Sequence, residues 1–249
     1  MKIAIDLGGT SIRACRFEDD GLAGEVLRRP CPAQGTQQEV IDGLCGLVDE
    51  LFDKEVTSIG IAVPAIVDTQ RGIVYNVCNI PSWKEVHLKE EMEKRYGVTT
   101  LVDNDVNCFT LGLQHDGEGA AYRSFVGIAI GTGLGMGIVI DRKLYRGANT
   151  CAGEVGSIPY LKSDFEHYTS SLFLRARTAD TGMVLAKKAA DGEAEALGIF
   201  REMGRHLGKL LQVVVYTYDP EAIIIGGGLA HAANYFDRSM RQSLSEGFP

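Results

Sequence analysis

The chain has 249 residues, of which 45% are hydrophobic and 23% charged, and its formal net charge is -8. This composition is typical of a globular protein with a sizeable core, and its acidity argues against nonspecific binding to nucleic-acid phosphates. No apolar run approaches the roughly 20 residues of a membrane span, and the N-terminus begins with a predicted strand rather than a signal peptide. The sequence therefore predicts a cytoplasmic protein with neither a membrane nor a nucleic-acid partner.

Strands and helices alternate along the first part of the chain. Apolar patterns predict strands at 2–6, 11–17, 25–29, 58–63 and 99–102, and helices at 40–51 and 86–96. Another helix is predicted to begin just after residue 105. This alternation predicts an α/β protein.

The pattern then restarts. A strand at 125–130, a glycine turn at 131–135 and a strand at 136–140 resemble a second copy of the opening strand–turn–strand unit. A long helix over 197–214, a strand at 222–225 and a helix over 236–246 follow. We therefore expect two similar lobes, residues 1–113 and 114–249. The last helix has no strand after it, which suggests that a final segment is missing.

Three glycine-rich turns each follow an apolar strand, at 8–9, 131–135 and 226–228. Such turns point several backbone N–H groups at one place and form an anion-binding nest, and glycine permits positive φ and close approach of a phosphate. Asp6 lies beside the first turn and would repel a phosphate unless a cation lay between them. Asp6 therefore suggests Mg²⁺, held through water or phosphate. The glycine spacing matches neither a dinucleotide fingerprint nor a P-loop.

Polar side chains are concentrated at one strand-to-helix junction, residues 103–107. One helix cap needs one Asp or Asn, whereas this junction supplies four such residues. The excess favours a polar ligand site in which Asp105 is the candidate general base toward a hydroxyl. Glu154, flanked by glycines, is by itself an ordinary turn acid.

The cysteines and histidines form none of the spacings that hold a structural metal. The six cysteines make no CxC or CxxC pair, and no two of the five histidines are three to five residues apart. The sequence therefore predicts reduced cysteines and no zinc site.

Taken together, the motifs resemble the ROK family of glucokinase-like sugar kinases, N-acetylhexosamine kinases and sugar-responsive repressors. The matching stretches occur in the family's order and spacing: DLGGT at 6–10, ND at 104–105, GTGLG at 131–135, AGEVG at 152–156 after Gly147, and GGG at 226–228. IAVPAIVD at 61–68 and NIPSW at 79–83 resemble its sugar-side segments. The resemblance extends to about residue 230.

This resemblance implies an actin/hexokinase-like (ribonuclease H-like) fold whose two lobes close on ATP and a sugar in the cleft between them. It implies Mg²⁺-dependent phosphorylation of a hexose or N-acetylhexosamine at the 6-hydroxyl, with Asp105 as general base, and a homodimer. The implied phosphate-side residues are Asp6, Gly8, Gly9, Thr10, Gly131, Thr132 and Gly133, and the adenosine-side residues are Gly226, Gly227 and Gly228. The implied sugar-side residues are Asn79, Asn104, Asp105, Glu154 and Glu166, the last because EHYTS at 166–170 resembles the family's Glu-x-x-x-Ser.

The chain departs from the family pattern at three places. Ser157 stands where the family has a histidine, and only the short stretch 162–165 occupies the place of the family's cysteine-rich zinc loop. Ala65 replaces the usual glycine after Pro64. Loss of the histidine and of the zinc loop removes one sugar contact and a rigid support, whereas Ala65 is a small change near the sugar side. The sugar is left open among glucose, mannose, fructose, allose and N-acetylhexosamines.

Two other functions are the alternatives for an α/β chain of this kind. One is a sugar-sensing protein that has lost turnover, although this chain opens on the phosphate-side strand rather than on a DNA-binding segment. Retention of Asp105 favours a working kinase, because a sensor would not need a base. The other, a nicotinamide-dependent dehydrogenase, fails on the glycine spacing.

Overall fold

The computed structural model describes residues 1–18 and 21–246, which form two compact units. Unit 1 comprises Met1–Cys108 and Gly147–Cys151, and unit 2 comprises Phe109–Arg146 and the chain from Ala152 onward. The units divide between residues 108 and 109, five residues before the predicted boundary, and a short segment of the later chain rejoins unit 1.

Unit 1 is an α/β unit built on one mixed sheet. Its elements are β1 (Lys2–Leu7), β2 (Ser11–Glu18), β3 (Gly21–Leu22), β4 (Leu27–Pro30), α1 (Gln37–Leu51), β5 (Ser58–Val63), β6 (Ile66–Asp68), β7 (Ile73–Tyr75), β8 (Glu85–Val86), α2 (Leu88–Tyr96) and β9 (Thr99–Asn104). The strand order is β3-β2-β1-β5-β9, and β4 also pairs with β2. Strand β1 runs antiparallel to β2 and parallel to β5, which is parallel to β9.

The core of unit 1 lies between this sheet and α1. Alternate residues of β1 and β5 are buried, and α1 buries one face made of residues at helical spacing, including Val40, Leu44 and Val48. A capping box begins the helix, because the Thr36 hydroxyl accepts from the Glu39 amide and the Glu39 carboxylate accepts from the Thr36 amide. Strands β6, β7 and β8 form a separate small antiparallel sheet.

Helix α3 (Asp105–Asp116) begins directly after β9 and leads the chain from unit 1 into unit 2. The elements of unit 2 are β10 (Phe125–Ile130), β11 (Leu134–Ile140), β12 (Lys143–Leu144), β13 (Pro159–Tyr160), β14 (Ser163–Asp164), α4 (Phe165–Thr169), α5 (Ser171–Arg175), α6 (Gly182–Ala190), α7 (Ala194–Tyr218), β15 (Ala222–Gly226) and α8 (Ala233–Ser245). Short 3-10 helices cover Glu118–Ala121, Val155–Ser157 and Gly228–Ala232.

The sheet of unit 2 repeats the opening of unit 1, as the sequence predicts. Strand β10 pairs antiparallel with β11 over six positions and parallel with β15, just as β1 pairs with β2 and β5. The long helix α7 buries a face of apolar residues and packs against α8. Each unit therefore has its own hydrophobic core.

Several predicted boundaries are displaced. The third strand begins at Leu27 rather than at residue 25, and helix α2 begins at Leu88 because Val86 belongs to β8. Strand β11 begins at Leu134, so the second glycine turn is shorter than predicted. Within the described residues, no helix has the length and apolarity needed to cross a membrane.

Candidate active site

In unit 1, the parallel strands β1, β5 and β9 end at one edge of the sheet. Their register pairs Asp6 with Ala62 and Ala62 with Asp103. The carboxyl ends of parallel strands are where α/β sheets bind ligands. This edge therefore brings together the first glycine turn, the Pro64–Ala65 segment and the polar junction at the start of α3, all of which the sequence predicts to be functional.

Asp6 forms an ion pair that the sequence analysis does not foresee. Its Oδ2 lies 2.8 Å from a guanidinium nitrogen of Arg13, and both side chains are about half exposed. A single, exposed carboxylate suits Mg²⁺, which takes one or two protein carboxylates and keeps waters and substrate phosphates as its other ligands. Among residues 1–18 and 21–246, no group of three or more acidic, histidine or cysteine side chains is placed to hold a metal by itself.

The polar junction is organised by hydrogen bonds around the first turn of α3. The Asn104 Oδ1 accepts from the backbone N–H groups of Val106 and Asn107 at 2.9 and 3.1 Å, and its Nδ2 donates to Ala65 O at 3.2 Å. Asp103 Oδ1 accepts from the Asn107 side chain at 3.0 Å. Asn104 is thus the helix cap, and its remaining capacity is one N–H for a ligand hydroxyl.

Asp105 is the first residue of α3, directly after β9. One of its carboxylate oxygens, Oδ1, lies 2.9 Å from the Val106 N–H. The residue is only partly buried. A carboxylate held at the end of a central strand, with part of its surface open, has the chemistry of a general base toward a substrate hydroxyl.

Asn79 packs directly on the first glycine turn. A Cβ placed on Gly9 would lie 2.5 Å from the Asn79 Cβ, so this position requires glycine for close approach. The turn is closed by a hydrogen bond from Gly8 N–H to Ser11 O at 3.0 Å. The structure therefore joins two predicted site segments, although one was predicted for phosphate and the other for sugar.

In unit 2, the second and third glycine turns lie side by side because β10 and β15 are parallel neighbours. An added Cβ on Gly131 would have Gly228 N as its nearest neighbour, at 3.8 Å, and one on Gly228 would meet open space. Gly227 has φ 88°, the left-handed region that favours glycine. Of the seven glycines predicted for the site, Gly227 is the one with positive φ. At the other six, the backbone angle is one that any residue can adopt, so it does not explain why glycine is present.

Glu166 contacts the second glycine turn. Its Oε2 accepts from Leu134 N–H at 2.8 Å and lies 2.5 Å from where a Cβ on Gly133 would be. Partial desolvation raises the pKa of Glu154, and repulsion from the nearby Glu166 carboxylate raises it further. Two carboxylates, Glu154 and Glu166, therefore lie close to each other on the side of unit 2 that carries the second glycine turn.

Two further polar residues beside the second turn were missed by the sequence analysis. The Ser171 Oγ donates to Thr132 O at 3.1 Å, and Arg175 donates to the Ser171 Oγ at 2.9 Å. Their i,i+4 spacing is a signal in the sequence, but helix α5 is too short for the apolar pattern to reveal it.

Comparison with known proteins identifies relatives over nearly the whole chain. The model of the ROK family matches residues 2–247. A glucokinase of Streptomyces coelicolor is 29% identical over 277 residues, covering 98% of this chain and 86% of that protein.

Two solved structures have the same fold. A ROK family glucokinase from Streptomyces griseus, in complex with glucose and AMPPNP, superposes with a TM-score of 0.84 at 27% identity, covering 98% of this chain and 88% of that one. A ROK family transcriptional regulator, a homologue of the E. coli MLC protein, superposes with a TM-score of 0.88 at 25% identity, covering 98% of this chain and 69% of that one. The expected actin/hexokinase-like fold is confirmed.

Proposed function

Because the chain belongs to the ROK family, we propose that it is a sugar kinase that transfers the γ-phosphoryl group of ATP to the 6-hydroxyl of a hexose or N-acetylhexosamine. The observation that carries this proposal is the placement of Asp105 at the carboxyl end of β9, at the sheet edge that also bears the Gly8–Gly9 turn. The likeness to a glucokinase with glucose and an ATP analogue bound supports it.

In this mechanism, Asp105 accepts the proton of the sugar hydroxyl as that oxygen attacks the γ-phosphorus. The bond from phosphorus to the bridging oxygen breaks, and ADP leaves with its electron pair. Phosphoryl transfer depends mainly on positioning and charge neutralisation, and assistance by a general base contributes about 10²–10⁴-fold.

The other residues of the proposed site have separate roles. The N–H groups of the two turns that are not used within the turns would bind phosphate oxygens: Gly9 and Thr10 in the first turn, and Thr132 and Gly133 in the second. Gly226–Gly228 would lie on the adenosine side. Asp6 would hold Mg²⁺ through water or phosphate, and the ion would neutralise phosphate charge. Asn79, Asn104, Glu154 and Glu166 would bind sugar hydroxyls, for which carboxylates and amides offer directed acceptors and donors.

The test is an ADP-release assay with MgATP against glucose, mannose, fructose, allose and N-acetylhexosamines. The variant Asp105→Asn should lose at least about 10²-fold in kcat while sugar binding, measured by calorimetry, stays within a few-fold. The matched control is Asp116→Asn, because Asp116 is an exposed residue at the far end of the same helix and should leave kcat unchanged. A D105N enzyme with normal kcat would refute the base assignment.

A sugar-responsive regulator without turnover is the second candidate, favoured by the likeness to a ROK family transcriptional regulator. It predicts that wild-type protein binds a sugar by calorimetry and releases no ADP with any member of the panel. The same two measurements therefore decide between the two functions.

A further inference from the structure

Five aromatic rings of unit 2 pack together, and two of them belong to the same short helix as Glu166. We call this group the ring cluster, and its members are Tyr160, Phe165, Tyr168, Phe173 and His206. Tyr160 stacks on Phe165 with ring centres 4.2 Å apart and planes at 12°, and it meets Tyr168 edge-on at 5.4 Å. The His206 ring is 4.9 Å from Tyr168 and 5.6 Å from Phe173. The ring cluster therefore connects β13, α4, α5 and α7.

One hydrogen bond inside the ring cluster crosses from β13 to α7. The Tyr160 hydroxyl oxygen lies 3.1 Å from Nδ1 of His206. The other ring nitrogen, Nε2, faces the Glu202 carboxylate at 3.8 Å. Because a carboxylate can only accept, its position favours the tautomer with the proton on Nε2, in which Nδ1 accepts from the Tyr160 O–H.

The surroundings of His206 favour its neutral form. Burial lowers the pKa of His206, the Arg205 and Arg177 guanidiniums add to this, and only Glu202 opposes them. Glu202 is itself held by Arg177 at 2.7 Å, and that guanidinium lies 4.4 Å over the Phe173 ring. Nδ1 of His206 is therefore available as an acceptor at neutral pH.

Helix α4 needs this support because it has only five residues, far below the length at which a helix is stable by itself. Glu166 lies on α4 between two members of the ring cluster, Phe165 and Tyr168. The direction of the Glu166 carboxylate, and its hydrogen bond from Leu134 N–H in the glycine turn, therefore depend on how α4 packs.

We propose that the Tyr160–His206 hydrogen bond is a positioning device for Glu166, which holds α4 so that the carboxylate reaches the Leu134 amide, and that it thereby sets sugar affinity. The positioning itself stands on the geometry of unit 2, whereas the effect on sugar affinity rests on the proposed function. Tyr160 and His206 are positioning residues, because they act through Glu166.

The test variant is Tyr160→Phe, which removes the hydroxyl and keeps the stacked ring. Amide hydrogen exchange at Leu134 should accelerate about five- to tenfold, the scale of one lost net hydrogen bond. The sugar KM should rise by a similar factor, while kcat stays within about twofold of the wild-type value. This is the pattern expected when an interaction equally strong in the ground state and the transition state is lost. Tyr235→Phe is the matched control, since it removes a hydroxyl elsewhere in unit 2 and should change neither value.

A second pair of variants separates positioning from general loss of structure. His206→Gln keeps an acceptor for the Tyr160 hydroxyl and should preserve Leu134 protection, whereas His206→Leu should lose it. Unchanged Leu134 exchange in Y160F, or equal exchange in H206Q and H206L, overturns the positioning. Faster Leu134 exchange with an unchanged sugar KM overturns the link to affinity. A wild-type protein that phosphorylates no sugar refutes the proposed function, and the exchange data still decide the positioning.

Discussion

Glu154 of the candidate site has a raised pKa. Glu154 is an exposed residue, yet its carboxyl group is partly desolvated by the surrounding chain. The negative charge of Glu166 also repels the ionised form of Glu154. Both effects raise the pKa of Glu154 above its ordinary value of 4.5. An ionised carboxylate is a better acceptor for a sugar hydroxyl than a protonated one. The proposed sugar contact of Glu154 therefore uses the ionised form, which its surroundings disfavour.

This conflict predicts the pH dependence of sugar binding. As pH falls through the raised pKa of Glu154, the carboxylate is protonated and sugar affinity should decline. This decline should begin at a higher pH than it would for a glutamate with the ordinary pKa. Glu154→Gln should bind sugar roughly 10–100-fold more weakly, the scale of a lost charged hydrogen bond, and this part of the pH dependence should vanish. Calorimetry between pH 4.5 and 8 measures both, and an unchanged pH profile in E154Q would contradict the assignment.

The same residue should affect stability with the opposite sign. The folded state binds more protons than the unfolded state between the two pKa values, so the contribution of Glu154 falls as pH rises through that window. At neutral pH, E154Q without sugar should therefore melt at a slightly higher temperature than wild type, which a thermal scan over the same pH range tests.

The third glycine turn of unit 2 contains two neighbouring glycines that differ in the space around them. Gly227 adopts φ 88°, and a Cβ there would clash with the Ile130 backbone, whereas a Cβ on Gly228 would meet nothing within 4 Å. Packing within the protein therefore requires glycine at 227 and leaves room at 228. The room at Gly228 suits the close approach of a nucleotide.

This difference predicts opposite results for two neighbouring substitutions. Gly227→Ala should destabilise the protein by about 1–3 kcal/mol, because it combines a strained φ with a clash. Gly228→Ala should leave the free energy of unfolding within about 0.5 kcal/mol of wild type and raise the KM for ATP. Chemical denaturation and ATP kinetics on both variants test this, and a G228A enzyme with a normal ATP KM would remove Gly228 from the adenosine side.

Elements of ordinary length were predictable from the sequence, and short ones were not. Strands β5 and β10 have the predicted bounds because a buried strand is a run of apolar residues. The two-residue strands β13 and β14 and the five-residue helices α4 and α5 are too short for any period to show. The segments of the candidate site were proposed from their glycines and acids and stay a prediction. The ring cluster depends on His206 of α7 meeting Tyr160, 46 residues earlier, which no local pattern shows.

The Asp6–Arg13 ion pair was not predicted, although both residues are close together in the sequence. Both residues belong to one hairpin, and counting outward from the glycine turn pairs Leu7 with Ile12 and Asp6 with Arg13. Oppositely charged side chains at paired positions of antiparallel strands attract each other. The pair could thus have been predicted from the sequence by assuming this register.

Because each unit has its own hydrophobic core, the two units can unfold in one transition or in two. A ligand stabilises what it binds by mass action, about 2.7 kcal/mol at 100 times its Kd. In unit 1, the proposed phosphate-side residues are Asp6 and the first glycine turn. Bound nucleotide should therefore raise the temperature of the transition in which unit 1 unfolds.

Magnesium removal tests this assignment. With a nonhydrolysable ATP analogue and Mg²⁺ at saturation, calorimetric melting should shift upward by roughly 5–10 °C, and chelation with EDTA should remove most of the shift. Asp6→Asn should lose the Mg²⁺-dependent part, because an amide is a poor ligand for a hard cation, whereas Asp116→Asn should retain it. Since Asp6 also pairs with Arg13, the variant Arg13→Gln separates the two roles: it breaks the ion pair and should keep the magnesium response. Equal loss in R13Q and D6N would assign Asp6 to the ion pair alone.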